Sequence, residues 1–294
     1  MSKKSVILFP FILIIFFLAR PVCAQDSYQK FSLKLSGGFG NTTGGDMEAM
    51  KDGVNETLAD LAALAGFTVT DELKGMNWGP EFEGELIFHF TRHFGVSLGV
   101  EYTRRKSDST GAVELGSLAS LSLSWTPEYS AIPIKLSGYY FIPVGEKMKV
   151  FVKAGVGYYI AKLKYKIQVE ETLLDDTYLE QQTGEAKDNG FGFHGGLGVE
   201  YRIATNFDLF VEGTGRYVNL KDWDVENNTT SSWGNSYETG KFWYADQYEE
   251  TTDKYYASLE ISKEMPEGPE LKNVRKAEIS LSGITFRMGV KIRF

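Results

Sequence analysis

The sequence predicts an all-β fold, an eight-stranded antiparallel transmembrane β-barrel with short periplasmic turns and long extracellular loops. Three observations support this: an export segment at the N-terminus, apolar residues at every second position in about eight stretches, and links that alternate between short and long. Period-two alternation is the pattern of strands with two different faces. Short links on one side and long links on the other are typical of a barrel that spans a membrane.

The first residues of the chain are organised as a secretory signal. Lys3 and Lys4 precede an apolar run over 6–18, and the small residues Val22 and Ala24 stand where a signal peptidase reads the chain. As a helix this run is about 20 Å long, which is too short for a hydrocarbon core of about 30 Å. We therefore expect a signal peptide over 1–24 and an outer-membrane β-barrel domain over 25–294, with an N-terminal membrane anchor as the alternative.

Composition excludes several function classes. Cys23 is the only cysteine and lies in the predicted signal peptide, so disulfides, thiol catalysis and cysteine-based metal sites are excluded from the remaining chain. Loss of Lys3, Lys4 and Arg20 with that peptide takes the formal charge from −8 to −11. We expect no nucleic acid to bind so acidic a chain. No apolar run of about 18 residues, the length of a transmembrane helix, remains after residue 24.

Seven stretches alternate cleanly between apolar and polar or small residues. They span 31–39, 82–90, 94–102, 150–160, 191–201, 207–217 and 284–294. The eighth, over 118–141, is less regular, because Leu121 and Trp125 hold one phase whereas Ile132 and Leu136 hold the other. A β-bulge near Pro127 would reconcile the two phases, since one extra residue reverses the facing of everything after it.

The links between these stretches distinguish a membrane barrel from a soluble sandwich or lipocalin-like barrel. Short links are predicted at 91–93, 143–147 and 204–206, and long ones at about 41–78, 106–116, 165–189 and 221–276. Periplasmic turns and external loops produce this asymmetry, and a soluble sandwich has no reason to keep it. Region 237–261 leaves open whether a further strand pair makes ten strands.

The two faces of the predicted strands differ in polarity. One is almost wholly apolar with aromatic residues near the strand ends, as expected of a lipid-facing wall. The other carries charges, which must turn inward because they are unfavourable in lipid. We expect a lumen charge network of Lys34, Glu83, Glu85, Glu101, Lys135, Lys153, Glu200, Arg202, Glu212, Arg216 and Arg287, with Glu81, Asp208 and Lys291 on the same face. Eight strands leave room for little beyond side chains, so a packed network is expected, with an ion-selective pore as the alternative.

Specific contacts are expected in the long links. In the first, apolar residues recur at helical spacing from Met47 to Leu64, with Asp46 as a plausible N-cap and Gly66 as a stop. This predicts a short amphipathic helix that either gates the barrel mouth or packs on neighbouring loops. The last link is rich in aromatic residues, and a loop contact surface for carbohydrate or protein is predicted there from Trp223, Trp233, Trp243 and Tyr244. The alternative is a β-hairpin that extends the barrel, with those rings packed together.

The catalytic groups available to an enzyme are few. His89, His93 and His194 are the only histidines; His93 is predicted in a short turn, and the other two are predicted on the lumen side. We expect no nucleophile elbow, no catalytic residue, no cofactor and no dedicated transition-metal site. Weak Ca²⁺ binding by carboxylates of the external loops stays open.

A family resemblance adds to this interpretation. The signal segment, the alternating strands, the glycine-rich stretch 192–198, the stretch 128–135 and the terminal Phe294 resemble small outer-membrane β-barrels of the OmpA/OmpX type, in the group known as the outer membrane protein beta-barrel domain. The resemblance implies location in a bacterial outer membrane. It also implies that the barrel assembly machinery reads Phe294.

Three function classes remain open. The first, which we expect, is a non-enzymatic structural or surface-interaction barrel whose partners are outer-membrane lipid and lipopolysaccharide, with a carbohydrate or protein ligand at the loops. The second is a narrow porin, which requires a continuous wet path through the lumen. The third is a lipid-modifying enzyme, which requires a nucleophile and a histidine within reach of each other at the rim.

Overall fold

A computed structural model describes residues 29–115, 119–174 and 176–294. The predicted signal peptide over 1–24 and Leu118, where the irregular strand was expected to begin, lie outside these residues. The described chain forms one helix, α1 (Asp46–Ala65). Its strands are β1 (Phe31–Asn41), β2 (Thr68–Asp71), β3 (Trp78–His89), β4 (Phe94–Lys106), β5 (Ser109–Leu115), β6 (Ala119–Pro143), β7 (Met148–Leu173), β8 (Asp176–Ala204), β9 (Phe207–Tyr217), β10 (Asn219–Leu220), β11 (Asp224–Ser231), β12 (Gly234–Glu249), β13 (Lys254–Ser262), β14 (Leu271–Lys276), β15 (Ile279–Ser280) and β16 (Gly283–Arg293). No helix among the described residues has both the length and the hydropathy needed to cross a membrane.

A continuous circuit of antiparallel pairings organises the sheet. β1, β3, β4, β6, β7, β8, β9 and β16 pair in that order, and β16 pairs back with β1. We call this circuit the strand ring. The first and last strands meet in it, and next to their pairing Phe31 and Phe294 exchange backbone hydrogen bonds of 3.2 and 2.9 Å.

The ring has a short-turn end and a long-link end. Residues 90–93, 144–147 and 205–206 connect β3 to β4, β6 to β7 and β8 to β9 at the short-turn end. At the other end, the sequence-based assignment of long loops is wrong for 165–189, because β7 and β8 continue as a hairpin up to Leu173 and Asp176. The predicted loops 106–116 and 221–276 also contain strands, namely β5 and β11 to β14.

Side-chain polarity reverses between the two halves of the long strands. In the ring, outward residues are apolar and exposed, such as Val156 and Ile160 of β7, whereas inward Lys153 is buried. Farther along β7 the outward positions are occupied by Lys162, Lys164 and Lys166, and the inward ones by Ala161, Leu163 and Ile167. Such a reversal is expected where the outer surface of a strand passes from hydrocarbon to water.

This reversal corrects the interpretation of β6. Its register with β7 is unbroken from Ala119, opposite Leu173, to Pro143, opposite Lys149, so the predicted bulge near Pro127 is wrong. Trp125 faces inward and is 3 % exposed, whereas Ile132 faces outward and is 46 % exposed. The apolar residues change faces because the surroundings of the strand change, and no residue is inserted.

Strands beyond the ring enlarge the sheet at its long-link end. β8 pairs with β9 through Phe193–Ala204 and with β11 through Glu180–Lys187, so β11 lies above β9 on the same edge of β8. β12 pairs with β11, β13 and β14, and β5 joins β6 to β2. Region 237–261 therefore adds strands above the ring and none within it. We call the part of the molecule beyond the ring, including α1, the extension.

Helix α1 packs against β13 in the extension. A Cβ atom added to Gly53 would lie 2.5 Å from the carbonyl oxygen of Ala257, so the absence of a side chain at Gly53 lets the two backbones approach. The N-cap is Gly45, and the prediction of Asp46 as the cap is wrong. The carboxylate of Asp46 instead accepts bonds of 2.5 and 2.7 Å from Arg275, because β14 lies beside the start of the helix. Gly66 ends the helix with a φ of 75°, as predicted.

Candidate functional site

The interior of the strand ring holds a connected network of charged side chains. Six bases and five acids are linked by contacts within 4 Å: Lys34, Arg105, Lys135, Lys153, Arg216 and Arg287 with Glu81, Glu83, Glu85, Glu101 and Glu212. Every member is at most 8 % exposed. Buried charges are tolerated when they are paired and hydrogen-bonded, and these are.

Glu81 and Arg287 are the most connected members of this network. Glu81 accepts hydrogen bonds from Arg105 at 2.5 Å, from Arg216 at 2.7 Å and from Arg287 at 2.8 Å. Arg287 also donates to Glu83 at 2.5 Å and to Glu101. Arg216 joins the network to the layer above, because it donates to the backbone oxygens of Leu281 and Asn41.

Lys34 lies toward the short-turn end, where aromatic rings replace some of the acids. Its Nζ donates to Glu212 at 2.5 Å and lies 4.2 Å from the ring centre of Phe210 and 4.6 Å from that of Phe151. The linked network has one more base than acid, and cation–π contact stabilises a desolvated ammonium group. The rings thus compensate for the unbalanced charge.

Nine of the predicted network residues belong to this cluster, and two lie elsewhere. Glu200 pairs with Lys291 at 2.6 Å in a separate buried contact. Arg202 is not in the buried network, because it stands next to the turn at 205–206, where its half-exposed side chain lies 4.0 Å from Asp208. Glu81 and Arg105 were not among the eleven, although both share the alternation phase of their strands with Glu83 and Glu101.

A buried apolar cluster closes the ring above the charges. It combines inward residues of β6 to β8 with residues from the links that follow β9 and precede β16. We call it the seal; it consists of Met47, Leu73, Trp125, Tyr129, Ala131, Tyr159, Ala161, Leu163, Ala186, Val218, Leu220, Trp223, Val225, Phe242, Ala277, Ile279 and Leu281. Both layers inside the ring thus consist of buried side chains, at most 6 % exposed in the seal and at most 8 % in the network.

Two histidines lie inside the ring, each beside a serine. His194 Nε2 is 2.8 Å from Ser137 Oγ, and His89 Nε2 is 3.0 Å from Ser32 Oγ. Both pairs are buried, and His194 Nδ1 has no hydrogen-bond partner among the described residues, whereas a catalytic histidine needs an orienting group there. His93 lies in the turn at 90–93 and contacts the oxygen of Phe141 at 3.0 Å.

One catalytic sequence motif is present without its geometry. Residues 95–99 have the pattern Gly-x-Ser-x-Gly, but Ser97 lies inside β4 and donates to Glu85 at 2.5 Å. A nucleophile elbow requires a sharp turn between a strand and a helix, and β4 has none at this point. Across 29–115, 119–174 and 176–294, no group of three or more His, Cys, Asp and Glu side chains is arranged to hold a metal ion.

The predicted loop contact surface is only partly exposed. Trp223 is 1 % exposed within the seal, which excludes it from a contact surface. Trp243 and Tyr244 are half-buried, and their polar atoms bind Ser262 O at 3.0 Å and Asp246 at 2.6 Å. Of the four, only Trp233 is highly exposed; it lies at the β11–β12 turn and is 87 % exposed. Successive side chains of a strand point to opposite faces, so its aromatic residues are divided between an exposed and a covered side. The prediction treated this region as a loop and therefore expected all four side chains to be exposed.

The outer surface changes charge along the barrel axis. Six bases lie directly beyond the apolar band of the ring, and we call them the basic belt: Arg104, Lys106, Lys162, Lys164, Lys166 and Lys187. Two acids lie among them, because Glu128 pairs with Arg104 and Glu185 pairs with Lys162 and Lys187. Farther out, no Lys, Arg or His occurs in 167–186 or in 222–240, whereas both segments contain several Asp and Glu. The extension thus carries its bases next to the ring and mainly acids at its far end.

Charged contacts hold α1 at both of its ends. Asp60, near the C-terminus of the helix, accepts hydrogen bonds of 2.6 Å from both Lys254 and Tyr256. These two bonds, with Lys254 contributing most, hold the pKa of Asp60 below its usual value. At the other end, the bond with Asp46 raises the pKa of Arg275. The helix is therefore tied to the extension by ion pairs as well as by packing.

The matches with known proteins cover most of the chain. The family model described as "Outer membrane protein beta-barrel domain" matches residues 11–242. No curated protein sequence matches the chain.

Similar solved structures have low sequence identity. A major outer membrane protein from Thermus thermophilus is 16 % identical, with 91 % of this chain and 100 % of that chain covered and a TM-score of 0.41. Ail of Yersinia pestis, solved with the heparin analogue sucrose octasulfate, is 11 % identical, with 90 % and 99 % covered and a TM-score of 0.34. OprG from Pseudomonas aeruginosa is 11 % identical, with 91 % and 98 % covered and a TM-score of 0.33.

Proposed function

The chain belongs to the outer membrane protein beta-barrel domain family and resides in the bacterial outer membrane, and on that premise we propose that it is a non-conducting, non-enzymatic barrel that displays its extension for contact with partners. In this proposal the eight strands of the ring span the membrane, and residues 1–24 direct export. The short-turn end faces the periplasm, and the extension faces the outside.

The observation that carries the proposal is the combination of a filled ring with a large extension. The charge network and the seal leave no wide path, so the ring serves as an anchor. β6, β7 and β8 pass without interruption from the ring into the extension. A rigid wall with an exposed far end suits the presentation of a contact surface, because binding residues are most effective on a scaffold that holds them in place.

The proposed partners include the lipids on either side of the band. The basic belt stands where the phosphate groups of lipopolysaccharide meet the barrel, and ammonium and guanidinium groups bind phosphate well. The terminal Phe294 packs at 6.4 Å from Phe31 at the short-turn end, and we propose it as the residue that the barrel assembly machinery reads.

Labelling on intact cells tests the proposed orientation. The chain after residue 24 lacks cysteine, so Trp233→Cys and Lys147→Cys each introduce one thiol, in the extension and in a short turn. We expect a membrane-impermeant maleimide to label the first variant on intact cells and the second only after lysis. Labelling of Lys147→Cys on intact cells, with Trp233→Cys protected, would reverse the orientation and end the proposal.

A narrow porin is the second candidate, because the ring is lined with charges. A bilayer conductance trace separates the two functions. We expect no stepwise conductance from the refolded protein, since apolar side chains of the seal cross the axis above the network. Reproducible ion-selective steps that disappear when the network residue Lys135 is changed to Met would support the porin instead.

A further inference from the structure

The extension contains an apolar cleft between α1 and the inner face of the sheet. Its walls include Met50 of α1, Tyr165 and Ile167 of β7, Phe242 of β12 and Leu259 of β13. The cleft has a volume of about 70 Å³, and apolar and aromatic side chains line it together with Gln182. Several of the lining side chains are partly exposed, so the cleft is accessible. An apolar cavity of this kind stays dry or takes an apolar group.

Carboxylates lie on the same inner face beyond the cleft. Along β7 and β8 this face continues beyond Ile167 and Gln182 to Glu171, Asp176 and Glu180. Glu238 of β12 pairs with Asn227, which is buried and accepts a bond of 3.1 Å from the hydroxyl of Tyr165 at the cleft. Burial, followed by the charge of Glu238, raises the pKa of Tyr165, which agrees with a carboxylate close to the cleft.

Exposed apolar side chains are interleaved with these acids. Leu173 is 60 % exposed on the inner face of β7, and Trp233 is 87 % exposed at the β11–β12 turn. The ring of Trp233 lies 6.4 Å from that of Tyr178, the inner-face residue between Asp176 and Glu180. The face therefore offers apolar contacts and negative charge together, and no base between 167 and 186 or between 222 and 240 neutralises that charge.

We propose that this inner face docks a cationic amphipathic polypeptide segment, whose apolar side chains enter the cleft while its Lys and Arg residues pair with Glu171, Asp176, Glu180 and Glu238. The proposal rests on the proposed function, which puts the extension outside the membrane. A divalent cation would make no use of the cleft, and an anionic lipid would be repelled by the acids. A segment with both apolar and basic side chains complements both features, and electrostatic complementarity favours such a partner over an acidic one.

The binding test uses the full chain refolded in detergent micelles. The probe is a dye-labelled helical peptide of leucine and lysine, and its comparator is a peptide of leucine and glutamate of the same length; binding is read by anisotropy. We expect the leucine–lysine peptide to bind and the leucine–glutamate peptide not to bind, with no change when EDTA is added. Failure of the cationic peptide to bind, or binding that EDTA abolishes, overturns the proposal.

Matched charge variants separate the inner face from general attraction to an acidic surface. Glu171→Gln with Glu238→Gln removes two inner-face charges, and Glu170→Gln with Glu226→Gln removes two exposed outer-face charges from the same hairpins. We expect the inner pair to weaken binding about tenfold and the outer pair less than about twofold, because close pairs contribute more than distant ones. Equal losses in the two double variants would contradict the proposal.

A cleft variant and the labelling result complete the test. Ile167→Lys puts a positive charge at the cleft, and we expect it to abolish binding of the cationic peptide while the protein keeps its folded migration on a gel. Unchanged binding by this variant would overturn the role of the cleft. If Trp233→Cys is labelled on intact cells and the peptide still does not bind, only the docking proposal fails; if labelling itself fails, the proposed function fails with it.

Discussion

At the scale of single residues, Glu81 accepts hydrogen bonds from more cationic side chains than any other acid among the described residues of the ring. Three guanidinium groups, of Arg105, Arg216 and Arg287, and the hydroxyl of Thr285 donate to its carboxylate. Its own burial is complete. Removal of one partner from a buried ionic network leaves the others uncompensated in a medium of low dielectric.

Glu81→Gln should therefore destabilise the barrel strongly. We expect a loss of about 3–5 kcal/mol in the free energy of unfolding. Arg105 and Arg216 would stay buried and lose the one carboxylate that each contacts among the described residues, whereas Arg287 would keep Glu83 and Glu101. Denaturant titration of protein refolded in lipid vesicles measures this loss. Glu128→Gln is the matched control: its partner Arg104 is exposed, and an exposed pair contributes about 0–1 kcal/mol. Similar losses in both variants would argue against a network that stabilises the ring.

Alternation alone predicted which charged residues face inward, but it could not predict their partners. Lys34, Glu83 and Arg287 follow from period two, which depends only on neighbours along the chain. Arg287 and Glu81 are 206 positions apart, and their contact depends on strand order and register around the ring. The misassigned Trp223 has a similar cause, since the fold of a link decides whether its tryptophan is exposed.

At the scale of elements, an acid-sensitive ion pair holds the C-terminal half of α1. Asp60 links the helix to β13 through Lys254 and Tyr256, and its pKa lies below the usual value. A carboxyl group with a lowered pKa in the folded state stabilises that state above its unfolded pKa, which is about 3.9. The stabilisation is lost as the pH falls through the lower folded value.

Acidification below about pH 4 should thus loosen the C-terminal half of α1 before the ring responds. Hydrogen exchange of the amides in 55–65, compared between neutral and acidic samples and corrected for intrinsic rates, measures this. In the Asp60→Asn variant we expect the protection of these amides to be low and independent of pH in this range. In the wild type we expect protection to be higher at neutral pH and to fall toward the level of the variant in acid. A pH response that persists in Asp60→Asn would assign the effect to another group.

Element boundaries were predicted well within the ring and poorly beyond it. Strands such as β4 and β9 lie within the predicted band, where outward apolar residues alternate with inward charges. In the extension both faces of β7 carry polar residues, with Gln168 and Glu170 outward and Glu171 inward, so 165–189 had the composition of a loop. Polarity patterns report the surroundings of a strand, and its hydrogen bonds continue when the surroundings change.

At the scale of the whole molecule, the circuit of strand pairings predicts that heating changes the migration of the protein on a denaturing gel. A ring without free edges should resist detergent until it is heated, because each strand is hydrogen-bonded on both sides. We expect the unboiled protein to migrate faster on a denaturing gel than the boiled protein. Identical migration of the two samples would contradict a closed barrel.

The unbroken register of β7 and β8 also limits how the length of the extension can vary. Successive side chains of a strand point to opposite faces. Inserting one residue into β7 after Ala161, and one into β8 before Asp188, would therefore turn the acids of the inner face outward. Insertion of two residues into each strand preserves both faces and raises the far end by about 7 Å along the strands. A change of length that keeps both faces therefore comes in steps of two residues per strand, and each step leaves the ring as it was.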